Sequence, residues 1–348
     1  MQSDPQPDAV LVSAPPEVTL VFSEPVTPAG AGIKVYGPSG APAAGRVTST
    51  GAVLKAQLTA TEQGTYIVSW QVLAADTHPS RGVFAFAVGR ESPNPFASLL
   101  DAGSAGTATP LGLALQVIAR WVHFIGFALT FGVVAYSLAI RPHQAFRRLI
   151  VAGVVMLAAA EPLALLAQLA SLSFDGDTAV AVLGSNFGRL VGLRLGVALL
   201  AWTFLALPRL WPMLALGALD AVLDGAGAHG VPGWPLAGQA LVAVHVGAIG
   251  LWVGGLVAFV TAPDRRFGRS AAATLGVAVG TGLALAIVHT EAGAALVSSD
   301  YGRAVILKVL VVGLAIGLAA LGRRRWELAV AAGAIGVAAL VGALPPAF

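Results

Sequence analysis

Residues 82–140 read GVFAFAVGRESPNPFASLLDAGSAGTATPLGLALQVIARWVHFIGFALTFGVVAYSLAI. Three regimes follow one another here. GVFAFAVG (82–89) is rich in β-branched and aromatic residues and bounded by glycines, as strands are. RESPNPFASLLDAGSAGTATP (90–110) has the composition of a linker. From Leu111 to Ile140 nearly every residue is apolar, a run longer than the ~20 residues that cross a bilayer core as a helix. The chain therefore changes solvent between residues 89 and 111.

Upstream the pattern is that of strands. EVTLVFSEPV (17–26) alternates Val18, Leu20 and Phe22 with polar or smaller partners, the period of a half-buried strand. GIKVYGPSG (32–40) ends in a turn, and GTYIVSWQVLA (64–74) starts from a glycine. Short strands between Gly/Pro turns predict a small all-β sandwich or barrel over residues 1–89. Downstream, residues 111–348 hold eight apolar runs, at about 111–140, 146–171, 188–207, 210–223, 235–261, 270–290, 302–321 and 326–343. They predict an all-α polytopic bundle of about eight transmembrane helices, the fourth being the shortest. The expected fold is thus mixed and two-domain. Composition agrees: charged residues are 11% of the chain and mean hydropathy is +0.81, against about 25% charged in soluble domains.

The connecting segments set an orientation. Segments 141–148, 208–209, 263–269 and 322–325 carry ten arginines, whereas the alternate segments carry Asp175, Asp177, Asp224, Glu291 and Asp300. The positive-inside rule makes the arginine side cytoplasmic. With an even number of spans, the β-domain and the C-terminus both lie on the extracytoplasmic side. The opening MQSDPQPDAV has no charged n-region or apolar h-region, so export of the β-domain is expected to use an upstream segment or the first span.

Several function classes drop out. There is no cysteine, hence no disulfide, thiolate metal site or cysteine nucleophile, and the only methionines are Met1, Met156 and Met213. No basic face suggests nucleic acid. No nucleophile–base pair or carboxylate dyad stands out, so an enzyme is not expected. No phosphate-binding loop of the G-x-x-x-x-G-K-[ST] type is present.

Polar groups in apolar runs are costly and are site candidates by default. They are His123 in the first run, Glu161 before Pro162 in the second, His245 in the fifth with Trp252 two turns on, His289 at the end of the sixth, and Tyr301 and Lys308 in the seventh. Given the orientation, His123, Glu161, His245, His289 and Tyr301 fall in the outer half or near the midplane, which predicts a polar cavity open to the outside. Each alone has a plainer reading: a histidine can be an interhelical hydrogen-bond partner, Lys308 can pair with Glu161, and Arg189 and Arg303 can be snorkelling anchors. In the β-domain, AADTHPSRG (74–82) places Asp76 and His78 two apart at a strand end, as a metal hook or a polar turn.

Two families come into view. SDPQPDAVLVSAPPEVTLVFSEPV, GTYIVSWQVLAADTHPSRGVFAFAVG and its DTHP resemble the periplasmic copper-binding family CopC over residues 3–89. RWVHFIGF, HVGAIGLWVGGL and SSDYGRAVILKVLV resemble the membrane family CopD over about 111–345. The order is that of a CopC–CopD fusion. The resemblance implies a copper(II) site in the β-domain, held by an N-terminal histidine and the Asp and His of a D-x-H motif. Asp76 and His78 match the last two; Met1-Gln2-Ser3 stands where the histidine start belongs, so that ligand is missing. For the membrane part it implies copper handling at the bacterial cytoplasmic (inner) membrane. His123, His245, Trp252, Tyr301 and Lys308 match by motif; with Glu161 and His289 they are the candidates for the transport path and metal contacts along it.

The expected function is capture of copper outside and its movement across the membrane, with import the expected direction, in copper homeostasis or resistance. The expected partners are copper, the bilayer and periplasmic copper chaperones. Two other readings stay open: a haem-binding electron-transfer protein with His123 and His245 as axial ligands, and a membrane-anchored copper sensor or assembly factor that transports nothing.

Overall fold

A computed structural model describes residues 1–74, 79–102, 109–228, 231, 234–290 and 295–344. The chain divides into two compact units, Met1–Leu113 with Ala167–Arg189, and Ala114–Leu166 with Leu190–Phe348.

The first unit is built on two four-stranded sheets. One orders β1 (Gln2–Asp4), β3 (Glu17–Val21), β6 (Val53–Leu58) and β5 (Ala44–Thr50). The other orders β2 (Val10–Leu11), β8 (Pro79–Val88), β7 (Gly64–Ala74) and β4 (Val26–Tyr36). Alternation decides what faces inward: Val18 and Leu20 of β3 and Leu54 and Ala56 of β6 meet Tyr66, Val68, Trp70, Phe84 and Phe86 of β7 and β8 in one buried core. The domain is a sandwich rather than a closed barrel. β7 and β8 pair from Gly64↔Val88 to Leu73↔Pro79. At Trp70↔Gly82 the indole lies over the glycine, where a Cβ would come within 2.7 Å of the ring. β5 carries no strong alternation and β6 alternates at Leu54, Ala56 and Leu58; neither was among the strands expected.

The stretch read as a linker is partly anchored. The Asn94 side chain donates to the carbonyls of Gly37 and Thr65, both at 2.8 Å, and accepts from the Phe96 amide. The Phe96 ring stacks on Tyr36, and α1 (Ser98–Ala102) follows. Residues 172–189 complete this unit. There α5 (Gly176–Gly184) packs against β4, the last strand of its sheet. Asp175 caps α5, accepting from the Thr178 amide at 2.8 Å, from the Thr178 hydroxyl at 3.0 Å and from the Ser173 hydroxyl, the usual way an Asp satisfies the open N–H groups of a first turn. The Ser173 bond holds its carboxyl below the usual aspartate range, with Thr178 adding to the effect and Lys34 of β4 contributing charge. Gly30 lies in the bulge of β4 at φ +56 and faces Thr178; a Cβ there would be 2.9 Å from that hydroxyl.

The helices of the chain follow the apolar runs. α2 (Pro110–Phe127), a π-helical turn (Ala128–Gly132) and α3 (Val133–Ala139) make one continuous rod. Then come α4 (Phe146–Ser171), α6 (Asn186–Phe204), α7 (Pro212–Ala226), α8 (Pro235–Thr261), α9 (Phe267–Thr290), the short α10 (Ala295–Ser298), α11 (Asp300–Ala320) and α12 (Arg324–Ala343). Among the described residues seven helices are long and apolar enough to cross a membrane. The fourth run falls short of the expected eighth: α7 has 15 residues, about 22 Å at the α-helical rise. It nevertheless runs antiparallel to α8, with Gly225 against Gln239 and Ala243, and Ala221 against Gly247.

Small residues bring the second unit's helices together. A side chain on Gly254 of α8 would overlap the Ala128 carbonyl, and one on Gly132 would overlap the Gly250 carbonyl. Such glycine contacts let helices approach closely where no hydrophobic drive exists between them. The Val133 amide reaches back five residues to that Ala128 carbonyl, the single wide turn that makes the π segment. Tyr136, whose hydroxyl donates to the Ala262 carbonyl at 2.7 Å, packs among Phe146 and Phe267.

Candidate functional site

The polar residues of the helical unit sort into three buried groups. The first joins four helices. His123 on α2 has Nδ1 3.2 Å from Glu161 Oε1 on α4 and Nε2 3.1 Å from Asp224 Oδ2 on α7. Arg194 on α6 bridges the same two acids, with Nε 3.3 Å from Glu161 Oε2 and Nη1 3.1 Å from Asp224 Oδ1. Asp220, one turn before Asp224, has its Oδ2 3.9 Å from His123 Nε2. It is 1% exposed, and among the described residues neither carboxylate oxygen has a hydrogen-bond partner. Charges in an apolar bundle survive when paired, and four of these five side chains are.

The second group joins α8, α9 and α11. His245 Nδ1 lies 2.9 Å from Thr281 Oγ1, and His245 Nε2 lies 3.2 Å from Lys308 Nζ. An ammonium only donates, so Nε2 accepts and the ring proton sits on Nδ1, facing Thr281; the Thr281 hydroxyl in turn donates to the Val277 carbonyl at 2.7 Å. The α9 backbone approaches at Gly282, where a Cβ would be 2.8 Å from His245 Cε1. The third group is His289 on α9 and Tyr301 on α11, with His289 Nδ1 3.1 Å from the phenol oxygen and the rings edge to face.

One expected pairing is corrected by these contacts. Lys308 pairs with His245, not with Glu161, because Glu161 is taken by His123 and Arg194. His123 does not present a bare imidazole to a metal: both its nitrogens face carboxylates on neighbouring helices. Trp252 sits in the apolar core of α8, apart from the polar groups. Arg189 and Arg303 pair locally with Asn186 and Asp300 at the helix starts. Asp220 and Asp224 were not among the expected site residues. Their signal was present as Asp220 and Asp224 four apart, hence on one helix face, in the shortest run. Among the described residues no three His, Asp or Glu side chains are placed to hold one metal ion.

In the β-domain, Asp76 and His78 lie outside the described residues, as do His229 and Glu291. The strands that flank the first two are defined: Leu73↔Pro79 is the last pair of the β7–β8 hairpin. The chain start reaches the same end of the sandwich. Gln2 pairs with Val21, and the next residue, Phe22, sets its ring against Trp70 of β7 at 5.3 Å.

Comparison with known proteins gives this unit its class. Residues 1–89 match the family model of the CopC domain. Solved structures similar to the chain include CopC from Methylosinus trichosporium OB3b, at 23% identity over 27% of this chain and 94% of that one, with a TM-score of 0.24. Two structures of PcoC from Escherichia coli, a copper resistance protein, match at 26% and 27% identity over 25% of this chain and 95% and 94% of theirs, each with a TM-score of 0.22. No curated protein matches the chain. The chain thus joins a segment that matches the CopC domain, residues 1–89, to a helical region with, among the described residues, seven membrane-capable helices.

Proposed function

We propose that this is a copper-binding integral membrane protein that captures copper outside the cytoplasmic membrane and moves it inward. The observation that carries the reading is one chain holding a CopC domain and seven membrane-capable helices with buried ionisable groups. Asp76 and His78 are the β-domain ligands. With no cysteine in the chain and Met1 the one methionine of residues 1–89, the donors there are nitrogen and oxygen, which suit copper(II) rather than copper(I). The chain start and the Leu73↔Pro79 end of the β7–β8 pair lie at one end of the sandwich, the end where the resemblance expects the site.

The helical region is CopD-like and multi-pass in this reading. Its arginine loops are cytoplasmic, and the antiparallel course of α7 beside α8 supports the alternation that places both termini outside. Periplasmic copper chaperones supply the ion, and the protein binds and translocates without a chemical step on a substrate. The test is copper entry into proteoliposomes, with copper(I) and copper(II) supplied separately. Entry that exceeds protein-free vesicles supports the reading, and none with either ion sinks it.

A further inference from the structure

The first polar group does not balance. Glu161, Asp220 and Asp224 bring three carboxylates; Arg194 brings one permanent positive charge and His123 at most one more. Even with an imidazolium the sum is one negative charge, buried among four apolar helices. Among the described residues, the elements packed around the group turn their other polar side chains elsewhere. On α2, Arg120 reaches toward Gly342 of α12. On α8, which packs along α7, His245 is turned to Thr281 and Lys308. The π segment meets α7 with the Phe131 ring at Gly217, and Tyr136 of α3 is committed to the Ala262 carbonyl.

The carboxylate left over is identifiable. Asp220 is 1% exposed, has no hydrogen bond on either oxygen among the described residues, and points at His123. A metal ion does not fit the deficit, since Arg194 already fills the space between Glu161 and Asp224, and among the described residues no three candidate ligands converge. A proton needs no coordination space.

We propose that His123, Glu161, Arg194, Asp220 and Asp224 form a proton-binding site, with the exchangeable proton on Asp220, and that copper movement is coupled to its binding and release. The coupling rests on the transport reading above; the proton site does not. With His123 as imidazolium, protonation of Asp220 neutralises the cluster, and loss of that proton leaves one uncompensated negative charge among the four helices.

The test begins with infrared difference spectra of the detergent-solubilised full chain across a pH series. The wild type should show the carbonyl band of a protonated carboxylic acid, and Asp220→Asn should lack it while unfolding within a few degrees of wild type. Asp220→Glu keeps a carboxyl and should move the band; it also decides the matter if the Asn variant does not fold. No such band in the wild type, or a band unaltered by these substitutions, overturns the proton site. In proteoliposomes, an imposed pH gradient should change wild-type copper entry several-fold and leave Asp220→Asn entry unchanged. Wild-type entry indifferent to the gradient overturns the coupling. Absence of copper entry overturns the transport reading, while the infrared result still decides the proton site.

Discussion

Lys308 Nζ lies 3.2 Å from His245 Nε2, while Glu161 and Asp224 pair with Arg194 instead. The pair is a cation held by a neutral ring inside apolar helices. Truncating the acceptor strands the ammonium, whereas replacing both partners with apolar groups removes the demand. His245→Ala should therefore destabilise the detergent-solubilised protein by about 1–3 kcal/mol, and His245→Ala with Lys308→Met should recover most of that loss. Thermal unfolding of the two single variants and the double variant measures the coupling; strict additivity would show that the contact carries no energy.

Close helix approach rests on particular glycines. Gly254→Ala puts a methyl group into the Ala128 carbonyl, and backbone cannot step aside as a flexible side chain does. The expected cost is about 1–3 kcal/mol. Gly317→Ala on α11 meets nothing within 4 Å and should leave the unfolding temperature unchanged or slightly raised, since alanine loses less backbone freedom in a helix. Equal effects at the two sites would refute the packing account.

The Asp175 cap gives a pH dependence with a definite sign. Its carboxyl is held below the ordinary aspartate value of 3.8 by Ser173 and then Thr178. A lowered folded value means the cap's contribution is complete above that ordinary value and is lost as the pH falls through the lowered one. Amide exchange in residues 176–184, corrected for its intrinsic pH dependence, should be slow at neutral pH and should speed up in strong acid. Asp175→Ala should make it several-fold faster at neutral pH, and an unchanged rate would remove Asp175 from the account.

Copper binding at the β-domain should depend on both residues of the D-x-H pair. Even partners that only orient a ligand cost 10- to 100-fold when lost, so Asp76→Ala or His78→Ala should each weaken copper(II) binding by at least about 100-fold. Titration of the full chain, followed by electron paramagnetic resonance, reads both affinity and nitrogen ligation. Wild-type affinity in both variants would place the site elsewhere.

What the sequence made legible follows from which interactions are periodic. Val18 and Leu20, or the unbroken run through Trp252, repeat with the period of their element, and the β7 and α8 boundaries match the expected ones. β5, AGRVTST, alternates weakly, and β6, VLKAQL, alternates at Leu54, Ala56 and Leu58 but is short; pairing of β6 with β3 and of β5 with β6 defines them. The π turn at Ala128–Gly132 left no mark, because an extra residue in a wholly apolar run changes no pattern. His123 and Glu161 stood out as ionisable residues in apolar runs, but their partners did not. Asp224 read as a loop residue at the edge of a short run, and the bond of Lys308 to His245 spans 63 positions that no local rule connects.

The contact between α5 and β4 has a consequence for how molecules meet. β4 is the 11-residue border of its sheet, while the opposite border, β2, has two residues and β1 of the other sheet has three. A long uncovered border is a template on which a second chain can add a strand. With α5 laid against it, the segment between α4 and α6 acts as a guard against sheet growth from one molecule to the next, so that copies crowded in the plane of a bilayer can pass without joining at that border.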